Sequence, residues 1–105
     1  AAAADPAVRI EPAHACCTLF GLACTLGFLL PAAYYLAARY PDDYETAVLM
    51  AINGGGNNMA RAALTGGLAG AMNGLSGIPE RFLDGLEDGP RLRRLAERLA
   101  ETAVD

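Results

Sequence analysis

Hydrophobic and polar positions fall into blocks along this chain, and the first block is the most apolar. Over residues 15–38, "ACCTLFGLACTLGFLLPAAYYLAA", no residue is charged. A run of that length can span a bilayer or fold as buried helices, and hydrophobicity alone does not separate the two. Gly21 and Gly27 punctuate it, Thr18 and Thr25 are polar, and Pro31 breaks or kinks any single helix there. A pair of buried helices meeting near residues 27–31 is therefore expected in preference to a membrane span.

The next block, "YPDDYETAVLMAIN", reads as the start of a helix. Pro41 suits the first helical position, and Asp42, Asp43 and Glu45 suit the positive first turn. Tyr44, Ala47, Val48 and Ala51 repeat on one face, and Asn53-Gly54 is a stop signal. Asn57 or Asn58 can cap a following helix that runs to about Asn73. Within it Gly66, Gly70 and Gly74 recur every four residues, with Ala63 and Gly67 beside them, a stripe that lets another backbone approach closely. Arg61 and Asn73 bound this run, so a buried helix is expected here and not a membrane glycine zipper. Ser76, Gly77 and Pro79 open a short helix, "PERFLDGLED". Gly89-Pro90 opens the last one, where Leu92, Leu95, Ala96 and Leu99 keep helical spacing. No stretch alternates as a strand. The fold class is all-α, a compact bundle of four to six helices, with residues 1–105 forming a single domain or the C-terminal fragment of a larger one.

Composition narrows the partners. The 105 residues carry a net charge of −4, which leaves no electrostatic footprint for nucleic acid. Arg91, Arg93, Arg94 and Arg98 lie among Glu and Asp, the pattern of a solvated helix face. Cys16, Cys17 and Cys24 match no zinc spacing and are expected to be buried thiols in a reducing, cytoplasmic setting. The chain starts with Ala and has no basic segment ahead of a short apolar core, so no secretion signal is read and a start within a longer protein is expected. Ser76 is the only serine and His14 the only histidine, and Ser76 lacks the strand–turn–helix setting of a nucleophile elbow. The helix dipole already accounts for Asp42 and Asp43 without a catalytic role.

The best candidate for chemistry is the turn Gly54, Gly55, Gly56, Asn57, Asn58. Glycines let a backbone approach a ligand closely, and N–H groups at a helix N-terminus favour phosphate or another anion. The Asn side chains can offer neutral oxygens to a hard cation. The spacing matches neither the Walker pattern nor the dinucleotide fingerprint, and a glycine-rich turn with an Asn cap also occurs with no ligand at all.

The ordered stretch "LPAAYYLAARYPDDYETAVLMAINGGGNNMARAALTGGLAGAMNGLSGIPERFLDGL" resembles the C-terminal part of the ADP-ribosylglycohydrolase family. There, an apolar helix ends in a "ryPDDfe" turn. A glycine pair then introduces the metal motif G-G-D-T-D-T, followed by a Gly/Ala-rich helix and an "IPERW"-like segment. The resemblance runs from about Cys24 to Ala100 and implies an all-α fold resembling the C-terminal region of that family's fold. It also implies Mg²⁺-assisted cleavage of the glycosidic bond between ADP-ribose and an acceptor, the metals activating water and stabilising developing charge. Gly55 and Gly56 match the glycine pair. Asn57 stands at the first metal-binding Asp and Asn58 at the following Thr, while Met59 and Ala60 occupy the second Asp and Thr positions. Arg61 matches the Arg of the "GGDNCHRG"-like versions found in crystallin-like members. The resemblance thus points to Gly54, Gly55, Gly56, Asn57, Asn58 and Arg61 as the ADP-ribose-binding set, with Asn57 and Asn58 as weak metal ligands. Two missing carboxylates imply impaired or altered hydrolysis, or a non-catalytic binding or structural descendant. The family's other metal-binding acids, a Thr-Asp-Asp type motif, have no counterpart before Cys24, so the N-terminal part of the fold is expected outside this chain.

Overall fold

The uncharged block folds as two helices of unequal length. The computed structural model describes residues 3–103, with α1 at Ala15–Phe20 and α2 at Leu26–Arg39. The break between them lies at residues 21–25 and not at 27–31, which corrects the expectation from sequence. Pro31 sits inside α2. A proline there removes the N–H that would reach residue 27 and crowds the carbonyl of that residue. Residue 27 is an exposed glycine with no atom within 4 Å of where a side chain would begin, so α2 has room to adjust. Among the described residues no helix is long and apolar enough to cross a membrane.

Helix α3 spans Tyr44–Asn53 and α4 spans Asn58–Asn73. A 3₁₀ turn at Leu75–Gly77, α5 at Glu80–Asp84 and α6 at Gly89–Ala103 follow. Among the described residues there is no strand, and the chain is all-α. Helix α3 begins later than Pro41 suggests. Asp43 is its N-cap, its carboxylate accepting the Thr46 N–H at 3.0 Å and the Thr46 hydroxyl at 2.6 Å. A carboxylate that satisfies an orphan amide fixes the start of a helix more firmly than a proline that only removes one, so Pro41 and Asp42 fall in the preceding turn.

The core is built from small side chains. Helix α4 packs against both α2 and α3, and α1 packs against α2. Ala32, Ala33 and Ala37 of α2, Ala47 and Ala51 of α3 and Ala69 of α4 are buried, and Leu36 is the largest fully buried aliphatic side chain. Alanines at a crossing let helix axes approach to the short end of the usual range, roughly 8 Å. The glycine stripe makes room for a side chain and not, as expected from sequence, for another backbone. A Cβ on Gly66 would lie 3.2 Å from the Tyr44 hydroxyl oxygen, and one on Gly70 would lie 3.7 Å from the Tyr44 ring. Gly74 departs from the stripe and forms the C-cap of α4.

Tyr44 also meets Phe82 edge to face, with ring centroids 6.4 Å apart, and Glu45 forms an ion pair with Arg81. The "PDDYE" and "IPERF" segments, far apart in sequence, are therefore neighbours in space. Helix α6 contributes little to this core. From Pro90 onward its residues are exposed, Leu92, Leu95 and Leu99 included.

Asp43→Ala is expected to lower stability by about 1 kcal/mol, the usual worth of an N-cap. The Asp43 carboxyl is held below its ordinary pKa first by the Thr46 hydroxyl and then by the Thr46 N–H. Its contribution is thus present above the unfolded-state pKa and is lost as pH falls through the lower folded-state value. Urea unfolding at neutral pH should resolve the difference between the two proteins, and unfolding in acid should show it shrinking.

Candidate functional site

Helix α3 ends at Asn53 and α4 begins at Asn58, so Gly54, Gly55, Gly56 and Asn57 reverse the chain between two packed helices. Gly55 and Gly56 have φ of +74° and +60°, the left-handed region that side chains avoid. Gly54 is glycine for a different reason. Its backbone is helical, but a Cβ there would lie 2.2 Å from the Cys17 sulfur and 2.5 Å from the Cys17 Cβ. The other wall of the turn is the 21–25 loop: the Asn57 N–H donates to the Leu22 carbonyl at 2.9 Å, and a Cβ on Gly56 would strike Leu22. Around Gly55 there is open space, with no atom within 4 Å of its Cβ position.

Arg61, one turn into α4, holds this turn from inside. Its side chain is fully buried. Nη1 donates to the Ala51 carbonyl at 3.2 Å and to the Gly55 carbonyl at 2.8 Å, and Nη2 donates to the same Gly55 oxygen. The end of α3, the apex of the turn and the start of α4 are thereby tied to one side chain. The Thr65 hydroxyl donates to the Arg61 carbonyl at 2.9 Å, so Arg61, Thr65 and Ala69 form the buried edge of α4.

The asparagines do less than the sequence suggests. Asn57 occupies the N-cap position of α4 without a side-chain hydrogen bond to the helix, so the expected Asn cap is not formed there. Asn58 turns back instead, its Nδ2 donating to the Ile52 carbonyl at 3.3 Å. Several turn amides are already engaged: Gly55 N–H with Ile52, Asn57 N–H with Leu22 and Asn58 N–H with Gly56. Met59 is 80% exposed and faces away from the core.

This segment by itself does not fit Mg²⁺. The ion favours carboxylate oxygens in an octahedral shell, and the turn offers two neutral carboxamides and an exposed thioether. The Gly55 carbonyl is already taken by Arg61, and a guanidinium charge lies beneath the turn. Among the described residues no group of three or more His, Cys, Asp or Glu side chains could hold a metal. The N-terminus of a 16-residue helix suits an anion instead.

The other residues singled out from sequence do not join this turn. Asp43 caps α3, Ser76 lies exposed in the 3₁₀ turn and His14 precedes α1. A groove of about 420 Å³ lies between the 3₁₀ turn, α5 and α6, lined by residues such as Leu75, Leu83, Leu86 and Leu92, and no residue of the glycine turn borders it. Cys16 and Cys17 are buried as expected, but Cys24 is exposed, because the 21–25 loop that carries it runs over the surface. The contact of Cys17 with Gly54 is not visible in the sequence, where the two residues are far apart.

Two glycine substitutions separate close packing from open helix. Gly54→Ala forces a methyl group against the Cys17 side chain and should destabilise by roughly 1–3 kcal/mol. Gly67→Ala meets nothing within 4 Å and should stabilise α4 by roughly 0.5–1 kcal/mol. Urea midpoints of the variants check both signs.

Comparison with known proteins bears on this geometry. The family model described as ADP-ribosylglycohydrolase matches residues 2–105. The chain is 43% identical over 58 residues to an ADP-ribosylarginine hydrolase, Tri1, of Serratia proteamaculans (strain 568), a match covering 55% of this chain and 16% of the relative. It is 37% identical over 73 residues to an uncharacterised protein of Archaeoglobus fulgidus, covering 70% of this chain and 23% of that relative. The matched region thus spans less than a quarter of either relative. No solved structure matches the chain significantly. With the match extending over nearly every residue, from the cysteine helix through the glycine turn to α6, the chain belongs to the ADP-ribosylglycohydrolase family.

Proposed function

We propose that this chain supplies the glycine-turn side of an ADP-ribose site, in a family member whose hydrolysis of ADP-ribosyl glycosidic bonds is weakened by the residues at positions 57 and 59. The observation that carries the reading is the turn itself. Gly55 is exposed, has a left-handed backbone and leaves open space around it, at the N-terminus of α4 and above a buried guanidinium. A pyrophosphate can approach such a backbone without meeting a side chain, and the helix dipole favours it. Arg61 acts on the ligand from below by fixing the turn. Gly54 and Gly56 keep the turn seated on Cys17 and Leu22, and Asn57 and Asn58 present neutral oxygens at its rim.

The relative from Serratia carries the name of an ADP-ribosylarginine hydrolase, which makes ADP-ribosylated arginine the first substrate to try. Asn57 keeps an oxygen where the family pattern has a metal-binding Asp but loses its charge, and Met59 offers sulfur where the second Asp stands. Magnesium held by carboxylates would activate water and steady the developing charge at the ribose, and this segment lacks the residues for that task. A second reading, a binding or structural descendant with no turnover, is favoured by the same two positions, and Met59 in particular faces solvent.

The test uses the whole protein that carries this chain, and two readouts. Calorimetric titration with ADP-ribose is expected to show binding that Gly55→Val weakens at least tenfold. Hydrolysis of an ADP-ribosylated arginine peptide in Mg²⁺ is expected to be slow or absent, and to rise when Asn57→Asp and Met59→Asp are combined. Absence of ADP-ribose binding in the whole parent protein would contradict the proposal. Binding without turnover, even in the double variant, would select the non-catalytic reading.

A further inference from the structure

Arg61 poses a problem of charge balance. A guanidinium keeps its proton in any protein setting, and this one is fully buried. The ion pairs among the described residues engage Arg9, Arg39, Arg81, Arg91 and Arg93, not Arg61. Two carbonyls hold its Nη groups, but its Nε has no partner among the described residues. Carbonyl dipoles solvate a charge without neutralising it, and a buried cation lacking a counter-charge is strongly destabilising.

Among the hydrophobic residues around Cys16 and Cys17, the titratable side chains are the two thiols themselves and, at the margin, Tyr35 and Tyr40, and none of the ion pairs among the described residues brings a carboxylate to Arg61. The Tyr35 hydroxyl is already an acceptor for the Ile10 N–H. Cys17 is placed differently. A Cβ built on Gly54 would lie 2.2 Å from the Cys17 sulfur and 3.0 Å from Arg61 Nη1, so thiol and guanidinium flank the same glycine. The Cys16 sulfur lies 3.9 Å from that of Cys17. With Cys17 beside the cation, Cys16 is the natural S–H donor and Cys17 the acceptor.

We propose that Cys17 is the counter-anion of Arg61, and that this buried thiolate–guanidinium pair positions the glycine turn. Cys17 gives its proton to solvent, keeps the negative charge and accepts a hydrogen bond from Cys16. The local electrostatics run the same way. The hydrogen bond from Cys16, followed by the charge of Arg61, pulls Cys17 down to about 7 although burial opposes it. Cys16 is pushed far above the ordinary thiol range by its bond to Cys17 and by burial. Cys17 is therefore a positioning residue, and it acts on any ligand through the backbone of the turn. A thiol pKa lowered in the folded state contributes stability that is complete above the unfolded value of 9.0 and is lost as pH falls through about 7. The inference does not rest on the ADP-ribose reading.

The experiment is a pH titration of thiolate ultraviolet absorbance in the full chain carrying Cys24→Ser, which removes the exposed thiol. One thiolate is expected to appear with a midpoint near 7, and the second thiol to stay protonated well beyond the ordinary range. Cys17→Ala should abolish the early step. Arg61→Lys keeps the charge and should keep the step, while Arg61→Met should raise the midpoint by about one unit, a tenfold loss of acidity. The amide resonances of Gly54, Gly55 and Gly56 should titrate with the same midpoint, a coupling that a merely space-filling cysteine would not produce. If both thiols of the Cys24→Ser chain ionise at or above the free-thiol value, the proposal is overturned, whether or not Arg61→Met folds. It is equally overturned if Arg61→Met folds and leaves the early midpoint where it was.

Discussion

A guanidinium sealed inside a small helical bundle can be tolerated only if its environment is arranged around it. Arg61 is the largest fully buried side chain in the described residues, and its donors reach two backbone carbonyls, those of Ala51 and Gly55. One of these belongs to the last turn of α3 and the other to the apex of the reversal. Helix C-termini leave carbonyls without intrahelical partners, and here an arginine from the next helix meets that need. Each side supplies what the other lacks, which is why the turn has a single shape. Gly55 and Gly56 must then be left-handed, and Gly54 must lack a side chain because Cys17 occupies the space.

The rest of the bundle follows the same economy of volume. Alanines at the contacts of α2, α3 and α4 bring the helices close, and Gly66 and Gly70 make room for Tyr44. Tyr44 in turn reaches Phe82, and Glu45 reaches Arg81, so α5 is fastened to the start of α3 beside its Asp43 cap. Exposed pairs such as Glu45–Arg81 add little stability alone. Their value here is in registering a short helix that buries little surface. Helix α6 lies outside this arrangement and keeps its leucines exposed.

Much of the fold can be read from the sequence because its signals are local. The Asn53-Gly54 stop, the extent of α4 and the starts of α5 and α6 all rest on neighbouring residues, and they appear in the structure where the pattern puts them. The misplaced features depend on competition or on contacts distant in sequence. Pro41 and Asp43 both bid for the start of α3, and the hydrogen bonds to Thr46 decide it. Pro31 looks like a breaker until the exposed Gly27 behind it is considered. The glycine turn can be recognised as special from its composition and its resemblance to the family motif. The depth of Arg61 and the role of Cys17 cannot, because both arise where α1, the turn and α4 converge. An arginine in an apolar helix reads as a surface or ligand-facing residue until its partners are seen to be carbonyls.

Family membership and this geometry fit together without a metal bound by this segment. The turn keeps the glycine pair and the following arginine of the resembling motif, and these are the residues that determine its shape. Asn57 and Met59 lie at its rim, Met59 exposed to solvent and Asn57 tied to Leu22 through its backbone N–H. The most direct test of Arg61 as the organising residue is nitrogen-15 and proton NMR of the arginine side chains in the full chain. Expected are Arg61 guanidinium protons that are resolved, protected from solvent exchange and hindered in rotation, with scalar coupling across hydrogen bonds to the carbonyl carbons of Ala51 and Gly55. An Arg61 guanidinium that rotates freely and exchanges as fast as those of Arg94 and Arg98 would contradict the central role given to it here.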